Sequence, residues 1–156
     1  MSRPLVSIVI PSLDQRPFVE RTLSSVLSQR GDFDLEVLVQ DGGSTDGTRE
    51  VLERLGDRIS LVVERDAGQA DAVNRALSRA RGEIVGWVNS DDLLRPGAIQ
   101  AAVEAFRASP DALWLHGRCD IVDERDRIIR RPVSAYKDFR SRRHSLEALL
   151  VENYVS

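Results

Sequence analysis

In the stretch EIVGWVNSDD, residues 83–92, an apolar run ends in Asn89 and Ser90 and then in two adjacent carboxylates, Asp91 and Asp92. Because like charges placed side by side repel each other, the pair costs stability unless a positive charge lies beside it. A hard divalent cation such as Mg²⁺ or Mn²⁺ takes oxygen ligands, and it binds through one or two carboxylates together with a substrate's phosphates. The aspartates can instead cap the helix that begins around Pro96, and one can cap while its neighbour binds metal.

A second polar segment, DGGSTDG at residues 41–47, follows another apolar run. Its glycines let backbone N–H groups approach a ligand, and its Ser, Thr and Asp residues cap the next helix. A strand-to-helix turn needs the same residue types for its geometry alone, so a purely structural role stays open. Asp41 is more informative, because a carboxylate at a strand end can accept a hydrogen bond from a uracil or guanine N–H or a ribose hydroxyl.

Short β-branched runs alternate with helical patterns through the first two thirds of the chain. This βαβα repetition predicts an α/β fold, with a mostly parallel sheet sandwiched by helices. Ligands of such sheets bind beyond the carboxyl ends of the strands, so the clusters PSLD, QDGGSTDG, RDAGQAD and NSDD are predicted to line one crevice. The predicted strands cover residues 5–10, 34–40, 58–64 and 83–89, and the predicted helices cover residues 17–29, 45–56, 69–82 and 96–108.

The alternation stops after Pro110. The stretches ALWLHGRCDIVD and RIIRRPV predict two strands of an antiparallel β-hairpin joined by the turn DERD. The stretch SLEALLVENY predicts an amphipathic helix. Because the chain stops in mid-pattern at NYVS, we expect one domain over residues 1–156 that is truncated at its C-terminus.

Composition excludes several classes of protein. Hydrophobic residues make up 42% and charged residues 30%, as in soluble globular domains, and the net charge of −3 gives no bulk preference for nucleic acid. The single Cys119 allows no internal disulfide, and no apolar segment reaches the ~20 residues of a membrane span. We therefore expect a cytoplasmic chain, with peripheral association at the inner face of a membrane left open.

Several common motifs are missing. No Walker-type glycine loop with lysine occurs, and no Gly-x-Gly-x-x-Gly fingerprint follows the first strand, which argues against an ATPase and a dehydrogenase. His116 and His144 lack the neighbouring cysteine or acidic pattern of a zinc site.

In their order and spacing, the motifs resemble those of glycosyltransferase family 2, whose members share the GT-A nucleotide-sugar-binding fold. VSIVIPSLDQ is similar to the family's first strand and loop, VLVQDGGSTDGT to its Asp-x-Gly-Ser-x-Asp turn, and DAGQADAVNRALSRARGEIVGWVNSDD to its glycine-containing loop, helix and metal motif. The resemblance covers about residues 4–122. It implies a nucleotide-sugar-binding half at residues 1–110 and the start of an acceptor-side region at residues 111–156.

The resemblance also implies roles for individual residues. Pro11 and Ser12 would border the base, and Asp41 falls where the family contacts a uracil-type base. The glycine-containing loop and the helix after it would line the diphosphate or the donor sugar. The residues implied in nucleotide binding are Pro11, Ser12, Asp41, Gly43, Asp66, Gly68, Gln69, Asn74, Asn89 and Ser90.

The metal motif and the general base both depart from the family pattern. Asp91, with Asp92 beside it, is implied as the ligand of Mn²⁺ or Mg²⁺, but Asn89 replaces the first aspartate, which should weaken metal affinity. Family members carry their general base in an acidic pair well downstream. Nothing after Asp126 matches such a pair, so we expect the base beyond Ser156 and little or no sugar transfer by this chain.

The implied reaction moves a sugar from a nucleoside diphosphate sugar, with UDP favoured, to an acceptor hydroxyl with inversion. A glycan or lipid-linked glycan of polysaccharide or cell-wall biosynthesis is the expected acceptor. A non-catalytic nucleotide-sugar-binding module is the main alternative. A nucleotidyltransferase fits less well, because PSLDQRPF lacks the arginine- and lysine-bearing glycine loop of that class.

Overall fold

A computed structural model describes residues 3–117, 119–123, 127–129, 132 and 136. The chain divides into two compact units, Met1–Pro110 and Asp111–Ser156. In the first unit the elements are β1 (Leu5–Ser12), α1 (Val19–Leu27), β2 (Asp34–Asp41), α2 (Thr48–Glu53), a short 3-10 helix (Gly56–Arg58), β3 (Ser60–Val63), α3 (Gln69–Leu77), β4 (Ile84–Trp87) and α4 (Ala98–Ala108). The second unit contains β5 (Ile121–Val122) and β6 (Ile128–Ile129).

The four strands of the first unit form one sheet in the order β3-β2-β1-β4, and all three strand pairs are parallel. This confirms the predicted parallel sheet. Ser12 at the end of β1 pairs with Asp41 at the end of β2, and Asp41 pairs with Val63 at the end of β3. The carboxyl ends of these strands therefore lie at the same edge of the sheet.

Helices cover both faces of the sheet, as the repetition of strands and helices predicted. Successive side chains of a strand point to opposite faces. Ile8 and Ile10 accordingly belong to one buried cluster, whereas Val9 belongs to another. The larger cluster contains side chains of α1, α2 and α4, and the smaller one contains Val73 and Ala76 of α3.

The predicted end of the first strand before Pro11 is wrong, because β1 continues through Pro11 to Ser12. A proline cannot donate a hydrogen bond to a strand ladder, so it is tolerated where the ladder is missing. β1 pairs with β2 over its whole length but with β4 only from Val6 to Val9. The Val9 carbonyl points towards β4, because it accepts from the Val88 N–H. The backbone nitrogen of Pro11, two positions later, points the same way, but β4 no longer runs beside β1 there.

The predicted hairpin is present but much shorter than expected. β5 and β6 are antiparallel, two residues each, and the Asp123 N–H donates to the Arg127 carbonyl at the turn. Residues 111–117 form no strand, and the side chain of Leu113 is 96% exposed. A strand forms only beside another strand, and no strand of the described part of the chain pairs with this apolar stretch. The predicted helix at residues 145–154 lies outside the described residues.

Candidate functional site

The loops that follow the strands form a pocket of about 420 Å³ at the carboxyl edge of the sheet. Three residues implied in nucleotide binding, Gly43, Asp66 and Gly68, lie in its wall. Gly42 and two side chains absent from the sequence assignment complete it. The residues that line the pocket are Leu13, Gly42, Gly43, Arg65, Asp66 and Gly68.

Arg65 and Leu13 are the residues that sequence reasoning missed. The side chain of Leu13 is 53% exposed, and the side chain of Arg65 forms no ion pair with any described residue. Both follow strand ends in the quoted clusters, PSLD for Leu13 and RDAGQAD for Arg65, so their position in the chain was an available signal. An exposed leucine and an exposed arginine give the pocket an apolar side and a positive charge.

Asp41 is fully buried and braces its own turn. Its Oδ1 accepts from the Gly43 N–H at 3.0 Å and the Ser44 N–H at 2.8 Å, and its Oδ2 accepts from the Ser44 hydroxyl at 2.6 Å. Gly43 has φ of +96°, in the left-handed region that favours glycine. The carboxylate therefore fixes the loop of the pocket, and its contact with a base stays a prediction.

Hydrogen bonds also tie the loop after β1 to the loop after β2. The Asp14 N–H donates to Ser44 Oγ at 2.9 Å, and the Thr45 N–H donates to Asp14 Oδ1 at 2.8 Å. Asp46 accepts from the Arg16 N–H and from Thr48, and the Thr48 hydroxyl above all holds the pKa of Asp46 below its ordinary value. The predicted start of helix α2 at residue 45 is thus displaced to Thr48, because the preceding residues hold the two loops together.

Asp66 shapes the opposite wall of the pocket. Its Oδ1 accepts from the Gly68 N–H at 2.9 Å, and a Cβ atom built on Gly42 would lie 2.9 Å from its Oδ2. Gly42 therefore allows the loop after β3 to approach the loop after β2. The Ala67 N–H, next to Asp66, donates to Asp71 Oδ2 at 2.9 Å, and this bond holds the loop against the start of α3. The same bond and then Arg75 keep the pKa of Asp71 below its ordinary value.

A chain of side-chain hydrogen bonds joins the start of α3 to the acidic cluster after β4. Gln69 Nε2 donates to Asn89 Oδ1 at 2.8 Å, and Asn89 Nδ2 donates to Asp92 Oδ2 at 3.0 Å. The Asp92 N–H also donates to the Asn89 carbonyl, which closes a tight turn. The structure thus brings three of the implied site residues into contact.

The remaining implied residues lie close to the sheet or on α3. Pro11 and Ser12 are the buried last residues of β1, and Ser12 Oγ has no hydrogen-bond partner among the described residues. Ser90 is only 5% exposed, and its carbonyl accepts from the Thr22 hydroxyl of α1. Asn74 is exposed in the middle of α3 and is not part of the pocket wall.

The donor set of the acidic cluster fits a hard divalent cation. Asp91 and Asp92 are both exposed, and neither forms an ion pair with any residue that the structure describes. Asp91 has no hydrogen bond within this part of the chain, so its oxygens are available. The described residues contain no group of three or more His, Cys, Asp or Glu side chains that could hold a metal ion. A cation bound here would therefore complete its shell with waters or phosphate oxygens, as Mg²⁺ usually does.

The described helices include none that is long and apolar enough to cross a membrane.

Comparisons with known proteins show the family and the fold of the chain. The family described as "Glycosyl transferase family 2" matches residues 7–152. Chondroitin synthase of Pasteurella multocida is 38% identical over 106 residues, which are 66% of this chain and 11% of that protein. The chain spans less than half the length of the curated relatives it matches.

Two solved structures share the fold. TarS 1–349 of S. aureus, in complex with UDP-GlcNAc, has a TM-score of 0.58 at 28% identity, covering 69% of this chain and 32% of its own. The mannosyltransferase PcManGT of Pyrobaculum calidifontis, in complex with GDP-Man and Mn²⁺, has a TM-score of 0.63 at 29% identity, covering 81% of this chain and 38% of its own. The chain therefore belongs to glycosyltransferase family 2 and has the GT-A fold.

Proposed function

We propose that the chain is the donor-binding part of an enzyme that transfers a sugar from a nucleoside diphosphate sugar to an acceptor hydroxyl with inversion. The observation that carries this proposal is the pair of exposed carboxylates, Asp91 and Asp92, neither of which forms an ion pair with a described residue. Asp92 is also linked through Asn89 and Gln69 to the helix that follows the pocket loop. An acidic pair without a cation is unfavourable. A metal-bound diphosphate is the ligand that gives it a purpose.

The pocket is the proposed site of the nucleoside. Asp66 Oδ1 already accepts from Gly68, so Oδ2 is the oxygen left for a ribose hydroxyl or a base N–H. Arg65 can donate to the carbonyl oxygens of a base or stack on its plane, and Leu13 supplies apolar contact. Uridine is the favoured base, which the UDP-GlcNAc bound to TarS supports and the GDP-Man bound to PcManGT does not.

Asp91, with Asp92, is proposed to hold the divalent cation, which in PcManGT is Mn²⁺. Such a cation supplies the positive charge that stabilises a diphosphate leaving group. Asn89 adds little to the metal site, because its Oδ1 already accepts from Gln69 and its Nδ2 donates to Asp92. Its role is to orient Asp92.

The acceptor is proposed to be a glycan or a lipid-linked glycan, which the match to chondroitin synthase supports. Inversion requires a general base that deprotonates the acceptor hydroxyl. No acidic pair of the family type follows Asp126, so we propose that this chain binds the donor without transferring the sugar. Release of UDP from a UDP-sugar by the chain would contradict this part of the proposal and would also exclude a purely non-catalytic binding module.

Calorimetric titration with UDP, with and without Mn²⁺, tests the donor site. We expect the metal to raise the affinity of the wild-type chain and to have no effect on the Asp91→Ala variant, because the lost carboxylate is the cation's main ligand. Asp57→Ala removes an exposed aspartate from the 3-10 helix and is the matched control. An unchanged effect of Mn²⁺ in the Asp91→Ala variant would refute the metal assignment.

A further inference from the structure

Three polar residues lie on one side of α1 and the turn after it: Thr22, Ser25 and Gln29. They are here called the polar row. α1 packs into the core through apolar neighbours, yet Thr22 is 0% and Gln29 5% exposed. Residues three and four positions apart lie on the same side of a helix, so the row forms one stripe. Burying polar groups in such a stripe is unfavourable unless each group is hydrogen-bonded.

The partners of the polar row lie in the tip loop, residues 89–97, and at the start of α4. Thr22 Oγ1 donates to the Ser90 carbonyl at 2.9 Å, and the Leu94 N–H donates to Ser25 Oγ at 3.0 Å. Gln29 Nε2 donates to the Arg95 carbonyl at 2.9 Å. A longer bond of 3.4 Å runs from the Ile99 N–H to Gln29 Oε1. The row therefore holds the backbone of the tip loop from Ser90 to the first turn of α4.

The bond from Thr22 acts directly on the residue proposed to bind metal. The Ser90 carbonyl belongs to the planar peptide unit that joins Ser90 to Asp91, so fixing that oxygen fixes the direction in which the chain enters Asp91. Thr22 is fully buried and Ser90 is 5% exposed, so bulk water cannot take over the hydroxyl's part. The hydroxyl of Ser25 is held in turn, because it donates to the Thr22 carbonyl at 2.7 Å.

We propose that the polar row positions the acidic tip, which is Asp91 and Asp92 of the tip loop, for the cation and its diphosphate. Thr22 is the chief positioning residue. The inference rests on the proposed function of the tip. None of the three side chains contacts the ligand in this scheme. They act by holding Asp91 and Asp92 in the orientation that binding requires, and this orienting role is what distinguishes them from the apolar core of α1.

Titration of the 156-residue chain with UDP, with and without Mn²⁺, tests the positioning role. Thr22→Val keeps the shape of the side chain and removes its hydroxyl. We expect the Mn²⁺-dependent gain in UDP affinity to fall by about tenfold, a typical coupling between groups that do not touch. The affinity for UDP without metal stays at the wild-type value, because the pocket is not altered. Thr22→Ser restores the hydroxyl and is expected to restore the gain.

Ser25→Ala provides a second test, and it decides the matter if Thr22→Val does not fold. It deprives the Leu94 N–H of its acceptor and should also reduce the Mn²⁺-dependent gain. Ser24→Ala is the matched control, because Ser24 is exposed on the other side of the same helix. This control is expected to keep the whole gain.

The possible outcomes separate the two proposals. A wild-type chain without any Mn²⁺-dependent gain overturns the proposed metal site and this inference with it. A wild-type gain that Thr22→Val or, failing that variant, Ser25→Ala retains in full overturns the inference alone. A variant that loses stability but keeps the gain also overturns it, since the row would then be only structural.

Discussion

Aspartates at the carboxyl edge of the sheet fall into two groups by what their oxygens do. Asp41 and Asp66 accept backbone N–H groups of their own loops, so they shape the pocket. Asp91 has no hydrogen bond or ion pair within the described part of the chain. Aspartates along the same edge of the sheet thus differ in role. Asp41 and Asp66 stabilise loops, whereas the oxygens of Asp91 are available to a ligand.

Asp41→Ala is expected to weaken binding of UDP even without metal. The change removes the acceptor of three hydrogen bonds from a fully buried site. The donors belong to Gly43 and Ser44, which water can partly reach, so each lost hydrogen bond costs about 0.5–1.5 kcal/mol and the free energy of unfolding should fall as well. Calorimetry without Mn²⁺ and denaturant unfolding measure the two effects, and equal UDP affinity before and after the change would count against a role in the nucleoside site.

Gly42→Ala is expected to lower UDP affinity with only a small loss of stability. The new Cβ would lie 2.9 Å from Asp66 Oδ2, the end of a side chain that can move, so the pocket deforms while the fold persists. Gly117→Ala is the matched control, because nothing lies within 4 Å of its Cβ position. Calorimetry and thermal unfolding check the prediction, and an affinity equal to that of the control would contradict it.

At the scale of elements, a polar clamp joins the beginnings of three strands, at the edge opposite the site. Ser7 Oγ of β1 donates to Glu36 Oε2 of β2 at 2.6 Å, and the Arg81 guanidinium donates to Glu36 Oε1 at 2.7 Å. The Gly82 N–H, just before β4, donates to Ser7 Oγ at 2.8 Å. A Cβ on Gly82 would lie 2.6 Å from the Ser7 nitrogen, so a glycine is needed for this approach.

Glu36→Gln is expected to lower the free energy of unfolding at pH 7 by about 1 kcal/mol, because the charge that accepts these hydrogen bonds is lost. The effect stays small because Arg81 is largely solvent-exposed, and water screens its charge. Burial alone would raise the pKa of Glu36, but hydrogen bonds from Ser7 and Arg81 outweigh it and lower the pKa below its ordinary 4.5. The stabilisation is therefore present above pH 4.5 and is lost as the pH falls through the lowered pKa.

Urea unfolding of the wild type and the Glu36→Gln variant between pH 7 and pH 3 measures this difference. Glu53→Gln, in an exposed i,i+4 pair with Arg49, is the control and should leave stability unchanged. A stability difference between wild type and Glu36→Gln that grows as the solution becomes more acidic would contradict the assignment.

The sheet could be predicted from the sequence because its signals are local. Apolar runs, capping residues and the alternation of strands and helices predict a parallel sheet with helices on both faces, but they do not predict the order of its strands. The end of β1 could not be predicted, since Pro11 is tolerated only because β4 is shorter than β2. The apolar stretch at residues 112–117 has the composition of a strand, but pairing is a long-range property that composition does not contain.

A crevice at the strand ends could be predicted, and three of the four predicted clusters line the pocket. The cluster NSDD does not line it, and instead contacts Gln69 beside it. The division of roles within the candidate site could not be predicted, because it depends on which oxygens the backbone already occupies. Ser90 and Asp91 are neighbours in sequence, yet one is buried against α1 and the other is exposed. The contribution of Thr22 was equally hidden, since a threonine in a helix gives no sign of the loop that it contacts 68 residues away.

At the scale of the whole molecule, the pocket and the acidic tip lie entirely within the first unit, Met1–Pro110. The buried hydrophobic residues of the described chain also all lie between Val6 and Val103. The pocket and the acidic residues after β4 therefore depend on the buried residues of this unit. We propose that residues 111–156 begin the acceptor side, as the family resemblance implies.

A chain that ends at Pro110 is expected to fold and to bind UDP with Mn²⁺ as tightly as the 156-residue chain, because it keeps the core, the pocket and the tip. Circular dichroism, thermal unfolding and calorimetry measure the comparison. A saturating ligand should raise the stability of both chains by about 2.7 kcal/mol at a hundred times its Kd. A shorter chain that folds but has lost affinity would place part of the donor site in residues 111–156.

The two strands beside β1 differ in length, so a gap opens next to β1 at the carboxyl edge of the sheet. Past Val9, β1 continues beside β2, and β2 beside β3, whereas the chain that leaves β4 turns towards α1, where Thr22 contacts Ser90. An ordinary residue at position 11 would aim a donor into the gap so formed, and proline supplies none. The gap beside Pro11 can thus remain open without an unsatisfied backbone N–H group. The same gap leaves the residue before Asp91 free to pack against α1, where Thr22 donates to the Ser90 carbonyl.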